Sequence, residues 1–135
     1  MKFGIIAAME EELKTLLLAL ENKKEVVVLG KTYYEGRIGQ HEVVLVQSGI
    51  GKVLSAMSVT ILAETFEVDA IINTGSAGAV SEGLAIGDVV IADRLVYHDV
   101  DVTAFSYAYG QMAGQELYFL ADSDLMAKLQ AVLAQ

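Results

Sequence analysis

The run Asp69-Ala70-Ile71-Ile72 breaks into Asn73-Thr74-Gly75-Ser76-Ala77-Gly78 before the chain turns apolar again. An apolar, strand-like segment that ends in the smallest residues available constrains the fold. Glycine weakens a strand unless the backbone must turn tightly there or admit a close neighbour. A second glycine loop, Gly49-Ile50-Gly51, follows the apolar run from Glu42 to Val46. Both loops lie at strand ends, and in open α/β sheets ligands bind in the crevice beyond the carboxyl ends of the strands. For residues 75–78 the residues alone leave two readings open: a base or sugar lying against the main chain, or a close helix–strand turn.

Composition narrows the class. Hydrophobic residues make up 54% of the chain but aromatics only 7%, with mean hydropathy +0.47. Small and branched aliphatics therefore carry the apolar content, which suits strands covered by helices on both faces. No apolar run reaches the ~18 residues of a membrane span. The stretch from Phe3 to Met9 is short and ends in Glu10-Glu11-Glu12, so no signal peptide is expected. The absence of cysteine excludes disulfides and thiol catalysis and fits a cytoplasmic protein. A net charge of −9 argues against nucleic acid or an acidic membrane as partner. The chain reads as a soluble, cytoplasmic α/β protein.

Periodicity supplies the elements. Lys2 to Ala8 predicts a first strand; Met9, Leu13, Leu16, Leu17 and Leu20 then recur at helical spacing. The three glutamates open that helix, where the macrodipole favours negative charge. Glu25 to Leu29, Thr32 to Ile38 and Glu42 to Val46 predict three strands, the last two joined through Gly39-Gln40 in a hairpin. Apolar residues at 50, 53, 54, 57 and 61 predict a second helix. Strands are expected over Asp69 to Asn73 and from Val89 to Ala92, extending toward Val96. Residues 98 to 117 have little regular period, and Asp122 or Ser123 is expected to cap a last helix. The order β-α-β-β-β-α-β-β-α implies a mixed, largely parallel sheet flanked by helices. Single α/β domains often run to about 200–250 residues, so the fold is expected to be incomplete at its C-terminus.

Candidate chemistry is sparse. Gly49-Ile50-Gly51-Lys52 hints at a phosphate loop, but a Walker A sequence needs glycine at 46 and Ser or Thr at 53, where valines stand. Gly75, Gly78 and Gly83 lack the interval of a dinucleotide fingerprint. Glu10, Glu11 and Glu12 read either as helix N-terminal charge or as a general base at a strand end. Spacing does not choose between Glu10 and Glu12. His98-Asp99-Val100-Asp101 offers metal-like ligands, but alternation splits them between faces and only two histidines exist, so exposed loop polarity is the better reading. Phe105, Tyr107, Tyr109 and Met112 suit a pocket wall or a subunit interface.

Five collinear stretches carry a resemblance: GIIAAMEEEL at 4–13, SGIGKV at 48–53, INTGSAGAV at 72–80, GDVVIAD at 87–93 and YHDVDVTAF at 97–105. Together they resemble the bacterial 5′-methylthioadenosine/S-adenosylhomocysteine nucleosidases of the purine nucleoside phosphorylase superfamily, over the N-terminal part of that family's chain. The resemblance implies a nucleoside phosphorylase-like fold, with residues 1–135 forming the N-terminal part of a single domain. It implies hydrolysis of the N-glycosidic bond of the two adenine nucleosides, releasing adenine and a 5-thioribose. Glu12 would position and activate the attacking water. Ser76, Ala77 and Gly78 would lie along the nucleoside, Met9 and Ile50 near the ribose and 5′ group. Val102 and Phe105 would line the 5′-thio pocket, Phe105 reaching in from the partner of a homodimer. No metal or organic cofactor is implied. The acid that protonates adenine and the carboxylate that anchors the ribose come, in that family, from the C-terminal part. Two rivals are a phosphorolytic purine nucleosidase on the same fold and a truncated, catalytically dead domain that only binds nucleoside or dimerises. Against phosphorolysis stand the scarcity of arginine and the three glutamates, which would repel phosphate.

Overall fold

The computed structural model describes residues 1–133; the boundary expected at residue 135 lies outside them. It divides into two compact units, Met1–Gly78 and Ala79–Gln135.

The first unit is built on five strands, β1 (Lys2–Ala7), β2 (Glu21–Val28), β3 (Lys31–Ile38), β4 (His41–Gln47) and β5 (Ala70–Asn73), with helices α1 (Glu10–Ala19) and α2 (Lys52–Glu64). The sheet order is β2-β3-β4-β1-β5. β1 runs parallel to both β4 and β5, while β2–β3 and β3–β4 are antiparallel. The mixed sheet is the expected one, and its parallel pairings lie where the two glycine loops emerge.

Alternation explains the layers. Ile5, Ala7, Val43 and Leu45 face one way and pack with Leu13 and Leu20 around α1. Ile6, Val44 and Val46 face the other and pack with Ile61, Leu62 and Phe66 around α2. Four consecutive residues of β1 and four of β4 are accordingly buried, as expected of strands covered on both faces.

Two expectations need correction here. β2 begins at Glu21, four residues before the predicted Glu25, because α1 ends at Ala19 and Leu20 is already extended. The charged start Glu21-Asn22-Lys23-Lys24 has little strand character, but it lies on the sheet edge, where charge is tolerated. Its pairing is broken by a bulge between Glu21 and Lys24. On α2 the buried residues are Ser58, Ile61 and Leu62, whereas Val53 of the predicted stripe is exposed. The helix is rotated so that Leu62 packs over Gly4, where a Cβ would lie 3.1 Å from its Cδ1.

In the second unit, β6 (Arg94–Leu95) pairs antiparallel with β7 (Phe119–Leu120), and α3 spans Ser123–Leu133. The predicted strand from Val89 to Ala92 is irregular chain. Asp88 turns back there, its Oδ2 accepting the Ala85 N–H at 2.9 Å, and only the end of that run forms a strand. β7 has no periodicity to announce it. Tyr97 packs edge-on against Phe119, with centroids 5.8 Å apart, and Gly110 N–H donates to Val100 O at 2.8 Å. Of the two expected caps for α3, Asp122 is used: its Oδ1 accepts the Leu125 N–H at 2.8 Å. No helix among the described residues is long and apolar enough to cross a membrane.

Candidate active site

Four chain segments end at one edge of the first sheet: the β1–α1 junction, the β4–α2 junction, the loop after β5 and, because β3 runs antiparallel, the start of β3. Backbone bonds tie them together. Ser48 N–H donates to Ala7 O at 2.8 Å and Thr74 N–H to Ile6 O at 3.0 Å, so the loops leave the sheet from a fixed frame.

Glu12 is the centre of this edge. It stands in the first turn of α1, and its side chain folds back over the helix start. Oε2 accepts the N–H groups of Ala8 and Met9, each at 3.0 Å. Oε1 accepts Ser76 N–H at 2.8 Å and the Ser76 hydroxyl at 3.0 Å. Four donors thus converge on one carboxylate. The Ser76 N–H most of all, then the Met9 N–H and the Ser76 hydroxyl, hold the carboxyl below the usual glutamate range; desolvation opposes them, and the Ala8 N–H adds the smallest share. Glu10 and Glu11 stay exposed, whereas Glu12 reaches across to the loop after β5.

The small residues after β5 now have a physical reason. A Cβ on Gly75 would lie 2.8 Å from Glu12 Oε1 and 3.0 Å from its Cδ, closer than side-chain carbons approach. What comes close to the backbone at residue 75 is the chain's own carboxylate.

The other predicted site residues divide by unit. Met9 precedes α1 with its side chain partly in solvent, and Ile50 is 77% exposed on the Gly49–Gly51 turn. Ala77 and Gly78 continue the exposed loop after Ser76. Val102 and Phe105 lie in the second unit. Val102 is half-buried at the start of a single 3-10 turn, Thr103–Phe105, and Phe105 is 75% exposed. Asp101 caps that turn, its Oδ1 accepting the Thr103 hydroxyl at 2.7 Å and the Thr103 N–H at 3.1 Å. Those bonds, the hydroxyl first, hold its carboxyl below the usual range. Its loop role accords with the reading of residues 98–101 as exposed polarity. Among the described residues no three His, Asp or Glu side chains gather as a metal site.

Two further residues stand at this edge, neither singled out by the sequence as a site residue. Ser48 is buried, its hydroxyl donating to Gly49 O at 2.7 Å and lying 3.2 Å from Ala7 O. Lys31, the first residue of β3, donates from Nζ to Ser48 O. The cue to both is register: Tyr33 pairs with Val46, so Lys31 arrives level with residue 48.

Chemically, an ionised carboxylate at these strand ends can hold a water molecule and face developing positive charge. Of its four donors, the Ser76 hydroxyl is the one able to rotate away without moving backbone. That rotation frees one lone pair for a water proton while three N–H groups keep the carboxylate in place.

Comparison with known proteins places the fold in a family. Residues 2–135 match the family model of the phosphorylase superfamily. A 5′-methylthioadenosine/S-adenosylhomocysteine nucleosidase of Listeria monocytogenes is 48% identical over 132 residues, covering 98% of this chain and 57% of that protein. Among solved structures, S-adenosylhomocysteine nucleosidase from Streptococcus pyogenes in complex with 5-methylthiotubericidin superposes with TM-score 0.97 at 66% identity, over 99% of this chain and 57% of that one. The S. pneumoniae 5′-methylthioadenosine/S-adenosylhomocysteine nucleosidase with a transition-state inhibitor gives TM-score 0.94 at 69% identity, over 97% and 57%. The chain therefore spans a little over half the length of the relatives it matches. With a matching fold and a family model met from residue 2 to residue 135, the chain belongs to the phosphorylase superfamily.

Proposed function

We propose that this chain carries the water-activating half of an N-glycosyl hydrolase acting on 5′-methylthioadenosine and S-adenosylhomocysteine. The observation that carries the reading is the Glu12 carboxylate, fixed by four donors at the edge where β1 and β5 end. Departure of adenine leaves an oxocarbenium-like sugar. Glu12 stabilises that charge and takes the proton of the water that adds to it. Met9, Ile50, Ser76, Ala77 and Gly78 form the nearby nucleoside contacts. Val102 and Phe105 line the 5′-thio pocket across a homodimer.

The relatives' longer chains support a domain of which residues 1–135 are the N-terminal part. The acid for adenine and the ribose anchor are then expected from the part of the relatives that this chain does not span. The absence of a membrane-spanning helix among the described residues accords with a cytoplasmic enzyme.

Product analysis tests the reading. Incubation of the protein with 5′-methylthioadenosine, with and without phosphate, should release adenine and free 5-methylthioribose at a rate indifferent to phosphate. A sugar-1-phosphate product would replace hydrolysis by phosphorolysis. Binding without release would leave a nucleoside-binding domain.

A further inference from the structure

The nine lysines and arginines are outnumbered two to one by acidic residues, and several of them lie in ion pairs: Lys2 and Lys24 with Glu35, Lys23 with Glu25, Arg94 with Asp93. Lys31 is different. It is half-buried, and its ammonium donates to one backbone carbonyl, Ser48 O. No carboxylate of the described residues lies within ion-pairing distance of it. An ammonium has three N–H donors, so two remain for a further acceptor.

Its position gives that acceptor a class. The antiparallel β3 delivers Lys31 to the edge where the parallel strands end. Nζ lies beside the Gly49 turn, 3.9 Å from where a Cβ on Gly49 would stand, and that Cβ would also lie 2.9 Å from Leu54 Cδ1. Gly49 thus lets the Leu54 side chain and the Lys31 ammonium both stand close to the turn. The next residue, Ile50, carries its side chain out into the open. A cation beside apolar side chains at these strand ends, on a protein otherwise negative, attracts a carboxylate.

We propose that Lys31 is a specificity-determining residue for the 5′ substituent. Its ammonium favours nucleosides whose 5′-thio chain ends in a carboxylate over those ending in a neutral alkyl group. This rests on the reading above, in which Ile50 neighbours the 5′ group.

The test compares three nucleosides on the full chain: 5′-methylthioadenosine, S-adenosylhomocysteine, and its deamino analogue, which keeps the carboxylate and lacks the ammonium. Lys31→Met should raise KM for the deamino analogue about fivefold, the upper end for a solvent-accessible ion pair. It should raise KM for S-adenosylhomocysteine less, because that tail also carries a positive charge. The constants for 5′-methylthioadenosine and all three kcat values should change far less than that KM. Lys31→Arg should keep the preference, and high salt should flatten it in the parent but not in Lys31→Met. Equal losses on all three nucleosides, which would mark Lys31 as support for the turn alone, overturn the proposal, as does no change. If the parent cleaves none of the three, the hydrolase reading fails by itself, and dissociation constants from calorimetry decide about Lys31. A carboxylate preference lost in Lys31→Met sustains it; a preference that survives, or no binding at all, overturns it.

Discussion

The carboxylate of Glu12 rests over Gly75 so closely that a single methyl group there would lie 2.8 Å from Oε1. Residues 63 positions apart are thereby joined in one arrangement: the first turn of α1 supplies the acid and the loop after β5 the space it occupies. Gly75→Ala should fold, because the carboxylate sits at the end of a flexible side chain that can move. It should nonetheless lose roughly 10²-fold in kcat, as expected when a reacting group is displaced by about 1 Å. Adenine release followed by absorbance, beside a thermal melt, checks both halves; unchanged kcat would separate the Glu12–Gly75 packing from catalysis.

Glu12→Gln keeps the shape and removes the charge. The amide retains one acceptor oxygen but turns two N–H donors toward groups that are themselves donors. Activity should fall by about 10²–10⁴, mainly in kcat, with nucleoside binding by calorimetry changed far less.

Ser76→Ala removes the hydroxyl bond to Oε1 and leaves the stronger influence, the Ser76 backbone N–H, in place. The Glu12 carboxyl should move part of the way back toward its ordinary range, and kcat should fall by no more than about tenfold. Carboxyl titration by NMR in parent and variant reads the first effect; steady-state kinetics reads the second.

The pH dependence follows from the same bonds. Because the folded carboxyl of Glu12 titrates below its unfolded value, its contribution to stability is present above that unfolded value, about 4.3. The contribution is lost as pH falls through the lower, folded value. The limb of kcat/KM that reports the base should therefore lie below about pH 4.3. In Glu12→Gln the corresponding part of the acid loss of stability should vanish. Melting temperatures from pH 7 to pH 3 on both proteins make the comparison.

Leu62 is buried between α2 and β1 against Gly4. Leu62→Ala should cost about 2–5 kcal/mol, read by urea unfolding near neutral pH.

Much of this was legible in the residues. The apolar runs of β1 and β4 announced strands buried on both faces, and Gly39-Gln40 announced the hairpin, because local alternation and turn chemistry reflect local backbone preference. The loop of small residues marked a place of close approach. Less legible were the start of β2 at Glu21, which depends on an edge position that charged side chains accept, and β7, whose two residues become a strand only by pairing with β6. The rotation of α2 was hidden as well, since Val53 and Leu62 are equally apolar and only packing against Gly4 decides which is buried.

For the site, the sequence by itself determined which residue types stand at strand ends: three glutamates, two glycine loops, one serine after Gly75. It left Glu10 and Glu12 level, because helical spacing describes a helix and not what lies beyond its first turn. Tertiary structure set Glu12 apart from Glu10 by bringing the Ser76 N–H and hydroxyl across from β5 to it, and it brought Lys31 to Ser48 through the antiparallel register of β3 with β4. Both contacts join residues far apart in the chain. No local propensity encodes such contacts; they exist only once the strands are ordered side by side in the sheet.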